Sequence, residues 1–337
     1  MDTAEAFKLD SKLPPIERLH GLVEADMEAA DGLIHARMSS AVPLIPELTR
    51  HLIDSGGKRL RPLLTLAAAR LAGYEGDAHA KLAAAVEFIH TATLLHDDVV
   101  DESAMRRGKD SANIVWGNKP SVLVGDFLFS RAFQLMVEAG NLEVLNILAN
   151  ASAVIAEGEV LQLKSANNLG ISEQDYLTVV SAKTAALFSA AGEAGAALAG
   201  SGRPVVQALR DYGRNLGIAF QLVDDALDYS GRAALMGKSV GDDFREAKVT
   251  LPIILAVRKT DAAARAFWTR VIEDGVQNEG DLTRAIAYVE ETGAIRETLA
   301  RAQAYADGAC DALGVLPASP LREALVAVAD FCVERAY

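Results

Sequence analysis

Apolar residues recur at three- and four-residue spacing along almost the whole chain, the repeat that lines one face of an α-helix. The pattern predicts helices over 16–38, 78–100, 120–139, 142–166, 172–198 and 205–230, with three or four more beyond Pro252. Stretches bearing glycine, proline and charge punctuate them at 54–62, 106–120, 167–170, 200–204 and 237–252. None is a long, low-complexity linker, so no domain boundary is marked. Alternating strand patterns are almost absent. The expected fold is all-α, a single large helical domain over 1–337.

Composition supports this. Half of the 337 residues are hydrophobic and only 6% are aromatic, and the abundance of alanine favours helix over strand. A formal net charge of −13 argues against a nucleic-acid partner, which calls for a basic footprint. It leaves an anionic substrate open, because bound metal ions reverse the local sign. Cys310 and Cys332 form no CxxC pair, so neither structural zinc nor a disulfide framework is expected. The opening "MDTAEAFKLDSKLPP" has acids and lysines where a signal peptide needs an apolar run. No charge-free stretch reaches the roughly 18 apolar residues of a membrane span. A cytoplasmic chain with no transmembrane segment is the expectation.

Two short acidic stretches break the apolar pattern: "LLHDDVVDESAMRRG" at 94–108 and "LVDDALD" at 222–228. On a helix, residues four apart share a face, so Asp97 pairs with Asp101 and Asp224 with Asp228. Asp98 and Asp225 complete the two DDxxD patterns. His90 lies on the face of the first pair, and Gln221 joins the second. Each set sits near the C-terminal end of an apolar helix, where the macrodipole disfavours anions. Carboxylates there cost stability unless a cation binds. One such motif could be a solvated helix end, but two on apolar helices ask for a shared cause. A calcium loop would need glycine and spaced oxygens. Mg²⁺ suits the pattern better, since it takes one or two carboxylates and is completed by water and substrate phosphates. The motifs thus read as two walls holding metal ions, with a diphosphate as the missing ligand.

Basic residues fit that ligand. Lys58 and Arg61 lie in "GGKRLRP", with Pro62 marking a helix start. Arg106 and Arg107 follow the first acidic motif, and Lys238 and Lys248 follow the second. Arginine matches phosphate oxygens with a planar fork, and lysine adds a mobile charge.

At these residues the sequence resembles the trans-prenyltransferases, the head-to-tail isoprenyl diphosphate synthases. The resemblance rests on "GGKRLRP", "FIHTATLLHDDVVDESAMRRG", "VGDFLFSRAF", "AKTAALF", "FQLVDDALDYSG" and "GKSVGDDFREAKVTLP" in that order, over roughly 50 to 260. It looks most like the long-chain members that make octaprenyl or similar diphosphates for quinone tails. It implies the isoprenoid synthase fold, helices around a central active-site cavity, and a homodimer packed through apolar helices such as 120–139. It also implies condensation of isopentenyl diphosphate with an allylic prenyl diphosphate.

By the same resemblance, Asp97 and Asp101 share Mg²⁺ on one side of the allylic diphosphate and Asp224 holds another, with Asp98, Asp225 and Asp228 in support. Arg106, Lys183 and Lys238 bind the allylic diphosphate. Lys58, Arg61, His90 and Arg107 bind that of isopentenyl diphosphate. The chemistry agrees: loss of diphosphate leaves an allylic cation, so the leaving charge must be neutralised and water excluded. Thr184 and Gln221 supply dipoles near the cation, and the released diphosphate can take the final proton.

In the family, the residues four and five before the first aspartate point into the tail pocket, where aromatics stop growth. Here they are Thr93 and Ala92, both small. A helical turn rises about 5.4 Å, close to one isoprene unit, so the short-chain stop is absent and a product near C40, or C50, is expected. Ile89, Phe88, Phe127, Phe129, Phe133 and Met136 are candidates for a deeper floor or for ordinary core. Ala104 stands where related long-chain sequences often carry an acid, which bears on the loop and not on the DDxxD pattern. A shorter C15–C20 product, a class I terpene cyclase and a non-catalytic partner subunit are the rival readings. "DDALD" and the isopentenyl-diphosphate set argue against the cyclase, and the intact motifs against the partner subunit.

Overall fold

The structure, a computed structural model, describes residues 13–53, 56–106, 108–230 and 241–335. The all-α expectation is met: among the described residues the strands are the two-residue pair Met105–Arg106 and Lys109–Asp110, an antiparallel ribbon. Helices run over Ala78–Val100, Asn118–Glu138, Leu142–Ser165 and Arg203–Asp228, each within two residues of the periodicity. Four more follow the Leu251–Val257 helix that contains Pro252. Pro120 sits in the first turn of Asn118–Glu138, where its missing N–H has no helical partner to lose.

Two long predicted helices are broken. The 16–38 stretch forms Pro15–Leu22 and Glu24–Arg37, because Val23 leaves helical geometry at φ −131° and ψ 27°. The 172–198 stretch forms Glu173–Val180 and Ala186–Leu198 around a π-turn, Ser181–Ala185. There the chain is pressed against Gly158, where a Cβ would stand 2.8 Å from the backbone nitrogen of Lys183. Such π-turns recur at functional sites, and this one carries Lys183 and Thr184.

The chain divides into two compact units. One comprises Met1–Ser152, Leu187–Gly213 and Cys310–Val328; the other comprises Ala153–Ala186, Arg214–Ala309 and Ala329–Tyr337. The core of the first is built on small residues: Ala67, Ala68, Ala69, Ala83, Ala84 and Ala85 are fully enclosed, which lets helices approach closely. Gly192 and Gly213 take this furthest, since a Cβ there would lie 2.2 Å from the carbonyl oxygens of Leu209 and Phe188. Leu63, Leu66, Leu82 and Phe88 fill the rest, each apolar side chain so buried stabilising the fold by about 1.5–3 kcal/mol. The second unit packs Trp268, Tyr229 and Phe244 with Leu251, Ile253 and Val271.

One helix bears on the expectation about membrane spans, and its charge-free run, 144–156, is shorter than a span needs. Leu142–Ser165 is long and apolar enough to cross a membrane by length and composition, with 28% of its apolar window buried. It carries Glu157 and Glu159 along its length.

Candidate active site

The first acidic motif closes the Ala78–Val100 helix, with Asp101 as its C-cap. Adjacent carboxylates have opposite fates. Asp98 has no exposure; it accepts from Arg106 Nε at 2.9 Å and from Arg106 Nη2. Its main-chain oxygen accepts from Asn113 Nδ2 at 3.0 Å. Asp97 and Asp101 are half-buried. Burial pulls the Arg106 guanidinium downward, but the bond to Asp98 and the charges of Asp97 and Asp101 hold its pKa above the usual value. Arg106, expected to meet substrate, is therefore also the tie between the two-stranded ribbon and the acidic helix.

The "GGKRLRP" stretch is strained into place. Gly56, Gly57 and Arg59 all have positive φ, a conformation that costs little for glycine and more for arginine. Arg59 is held there by Asp31 at 2.9 Å. Lys58 is exposed just before the Leu60–Leu71 helix. At the second helical position, Arg61 reaches His90 Nε2 at 3.2 Å and lies 4.3 Å over the ring of Phe188. Two of the expected isopentenyl-diphosphate residues, Arg61 and His90, are thus in direct contact.

In the second unit, Asp225 is 3% exposed and both its oxygens are engaged. Oδ1 accepts from Gln221 Nε2 at 2.7 Å, and Oδ2 accepts from the Tyr176 hydroxyl. Gln221 in turn accepts from Thr184 Oγ1 at 2.9 Å. Burial pushes the Asp225 carboxyl up to about 7; the Tyr176 and Gln221 hydrogen bonds oppose this and the charges of Asp224 and Asp228 add to it. Burial and the Asp225 charge push the Tyr176 hydroxyl well upward, so it keeps its proton.

Asp228 takes a third role. It accepts from the backbone of Gly241 and Asp242 at 3.2 Å and of Asp243 at 3.1 Å, capping the short helix Asp242–Arg245. Burial raises its pKa and these bonds oppose the rise. Asp243, half-buried, is driven well upward by burial and by the charges of Asp225 and Asp228. Asp224, with 26% of its side chain exposed, pairs with Arg335 at 3.0 Å. Lys183 Nζ binds Glu159 at 2.7 Å, and Lys248 pairs with Glu246. Arg107 and Lys238 lie outside the described residues.

These donors suit a hard cation. They are carboxylate oxygens, and in the second motif Asp225 and Asp228 have pKa values raised first by burial and then by neighbouring acids, a cost that a cation relieves. Among the described residues no three His, Cys, Asp or Glu side chains converge into a ready-made cage.

Along the Ala78–Val100 helix, Ile89 and Ala92 are fully enclosed, and Thr93 is half-buried with its hydroxyl on His90 O at 2.8 Å. Phe88 and Met136 are core. Phe129 stacks on His96, and Phe127 lies under Arg131. Phe133, expected as a pocket wall, is 43% exposed in the chain. Sequence reasoning missed Tyr176, Glu159, Phe188 and Arg335. Each contacts a residue it did find, and none carries a spacing signal of its own.

An all-helical fold with aspartate pairs on two helix ends, flanked by phosphate-matching cations, is that of the isoprenoid synthases. The family model described as Polyprenyl synthetase matches residues 42–289. The chain belongs to this family, and as such it is a prenyltransferase. Octaprenyl diphosphate synthase of Escherichia coli K12 is 46% identical over 320 residues, covering 95% of this chain and 99% of the relative. Among solved structures, a polyprenyl synthase from Caulobacter crescentus CB15, complexed with calcium and isoprenyl diphosphate, superposes with a TM-score of 0.93. It is 56% identical and covers 96% of this chain and 98% of that one. A decaprenyl diphosphate synthase from Rhodobacter capsulatus gives 0.92 at 58% identity, covering 96% and 99%.

Proposed function

We propose that the protein condenses isopentenyl diphosphate head to tail with an allylic diphosphate, repeating until a long all-trans polyprenyl diphosphate of about C40 is made. The observation that carries this reading is the division of labour in both DDxxD motifs. One aspartate in each, Asp98 and Asp225, is buried and anchored by protein hydrogen bonds, while Asp97, Asp101 and Asp224 stay more open. Similarity to octaprenyl and decaprenyl diphosphate synthases supports a long product.

Asp97, Asp101 and Asp224 are the residues to hold Mg²⁺; when bound, it neutralises the charge that grows on the leaving diphosphate. Asp98, Asp225 and Asp228 then act as supports that fix the helix ends. Arg106, Lys183 and Lys238 take the allylic diphosphate, Lys183 exchanging Glu159 for phosphate oxygens, with Lys248 nearby in sequence. Lys58, Arg61, His90 and Arg107 take the diphosphate of isopentenyl diphosphate, Arg61 steadied on the Phe188 ring. Thr184 and Gln221 orient dipoles toward the allylic cation, and the Tyr176–Asp225 contact fixes Gln221. After the carbon–carbon bond forms, the released diphosphate accepts the proton, so no protein base is required.

Ile89, Ala92 and Thr93 leave room for the growing tail. Both units serve this one activity as a single domain. Leu123, Phe133, Val137 and Leu142 are exposed and apolar, which supports a homodimer that covers them. Cys310 and Cys332 are free thiols, in keeping with a reducing cytoplasm. A quinone side chain is the fitting use of such a product.

The test is product analysis with labelled isopentenyl diphosphate, farnesyl diphosphate and Mg²⁺, with and without chelator. A chelator-sensitive ladder ending near C40 is expected. An end point at C20 would refute the long-pocket reading, and no elongation by folded protein would refute the activity.

A further inference from the structure

The helix Pro320–Glu334 delivers Arg335 onto the second acidic motif. Its Nη2 donates to Asp224 Oδ1 at 3.0 Å and to the main-chain oxygen of Phe220 at 3.4 Å. Its Nε donates to Cys332 O at 3.0 Å, and the guanidinium lies 4.3 Å over the Phe220 ring. The side chain is 8% exposed, against 26% for Asp224. The guanidinium is thus fixed from three other directions before it meets the carboxylate.

The need for such a device is local. Asp224 stands in the last two turns of a long helix, where the dipole disfavours an anion, beside Asp225 and Asp228. Those two are oriented by hydrogen bonds from Tyr176, Gln221 and the 241–243 backbone. A planar fork is the side chain best suited to set a carboxylate's plane. We propose that Arg335 is a positioning residue for the reaction: the C-terminal turn presents the Asp224 carboxylate to the metal–diphosphate group. This rests on the reading of Asp224 as a metal-binding residue.

The experiment compares Mn²⁺ binding, by electron paramagnetic resonance with inorganic diphosphate present, in the full chain and in Arg335→Gln, Arg335→Lys, Phe220→Leu and Asp224→Asn. Steady-state kcat and KM are measured in parallel, and folding is checked by circular dichroism. Residues that orient a metal ligand typically govern about 10–100-fold in metal affinity, and a loss in that range is expected for Arg335→Gln. Arg335→Lys keeps the charge without the fork and should recover part of it. Phe220→Leu loosens the guanidinium while leaving the ion pair and should show a smaller loss of the same kind. If Asp224→Asn loses Mn²⁺ while the Arg335 and Phe220 variants bind as the unaltered protein does, or more tightly, the proposal is overturned. If Asp224→Asn itself binds normally, the metal assignment fails first and the proposal falls with it.

Discussion

Tyr176 donates its hydroxyl hydrogen to Oδ2 of Asp225, and both are closed from solvent at 5% and 3% exposure. A hydrogen bond to a charged group typically contributes about 1.5–3 kcal/mol. Tyr176→Phe should lower stability by about that much in reversible denaturation. It should also lower kcat more than KM, because Gln221 loses its fixed acceptor while the diphosphate residues are untouched. Equal kcat in the variant would remove the link from Tyr176 through Asp225 to the reacting carbons.

Arg106 and Asp98 form a different kind of pair, a fully enclosed carboxylate with a guanidinium that keeps 30% exposure. Removing the cation strands the charge, which costs about 3–5 kcal/mol for a buried pair; the partial exposure places Arg106→Ala at the lower end. Adding Asp98→Asn should restore part of the loss. Additive effects in the double mutant would show that the two side chains are uncoupled.

Asp228 and Asp97 should separate cleanly. Asp97→Ala is expected to abolish most turnover while the circular dichroism spectrum and melting temperature hold. Asp228→Ala removes a helix cap and should cost about 0.5–2 kcal/mol of stability. A stable, inactive Asp228→Ala would contradict the capping role.

Product length gives a further test. Thr93→Tyr places an aromatic ring one turn before Asp97, and chromatography of dephosphorylated products should show a shorter ladder. Ala92 is fully enclosed, so a large residue there overpacks the core at about 1–3 kcal/mol and is the poorer probe. An unchanged C40 end point with Thr93→Tyr would move the tail path elsewhere.

Acid stability depends on a pair outside the two acidic motifs, Arg270 and Asp281. Arg270 grips Asp281 through two bonds of 2.8 Å, and these, with the Asn278 N–H, lower its pKa from 3.8 to about 2. The folded carboxyl binds its proton more weakly than the unfolded one. Its contribution is therefore complete above about pH 4 and is lost as pH falls to about 2. The stability gap between the unaltered protein and Asp281→Asn, from urea titrations, should shrink between about pH 6 and about pH 3. A constant gap would deny the linkage.

The amino-acid sequence alone determined the helical class, most helix limits and the two DDxxD sets, because helix periodicity and local charge spacing are set by residues within a turn or two of each other. It also marked Lys58, Arg61, His90, Lys183 and Gln221 through their motifs. Only the tertiary structure decided which aspartate of each set is anchored. Asp97 and Asp98 are neighbours in sequence, yet about 100° apart around the helix, and what lies against each face comes from elsewhere in the chain. The π-turn at Ser181–Ala185 depends on the bare backbone of Gly158. Tyr176 meets Asp225 across 49 residues, and Arg335 meets Asp224 across 111. Neither contact leaves a local period to read, because burial and hydrogen bonding at those carboxylates are created by packing between segments that only the fold brings together.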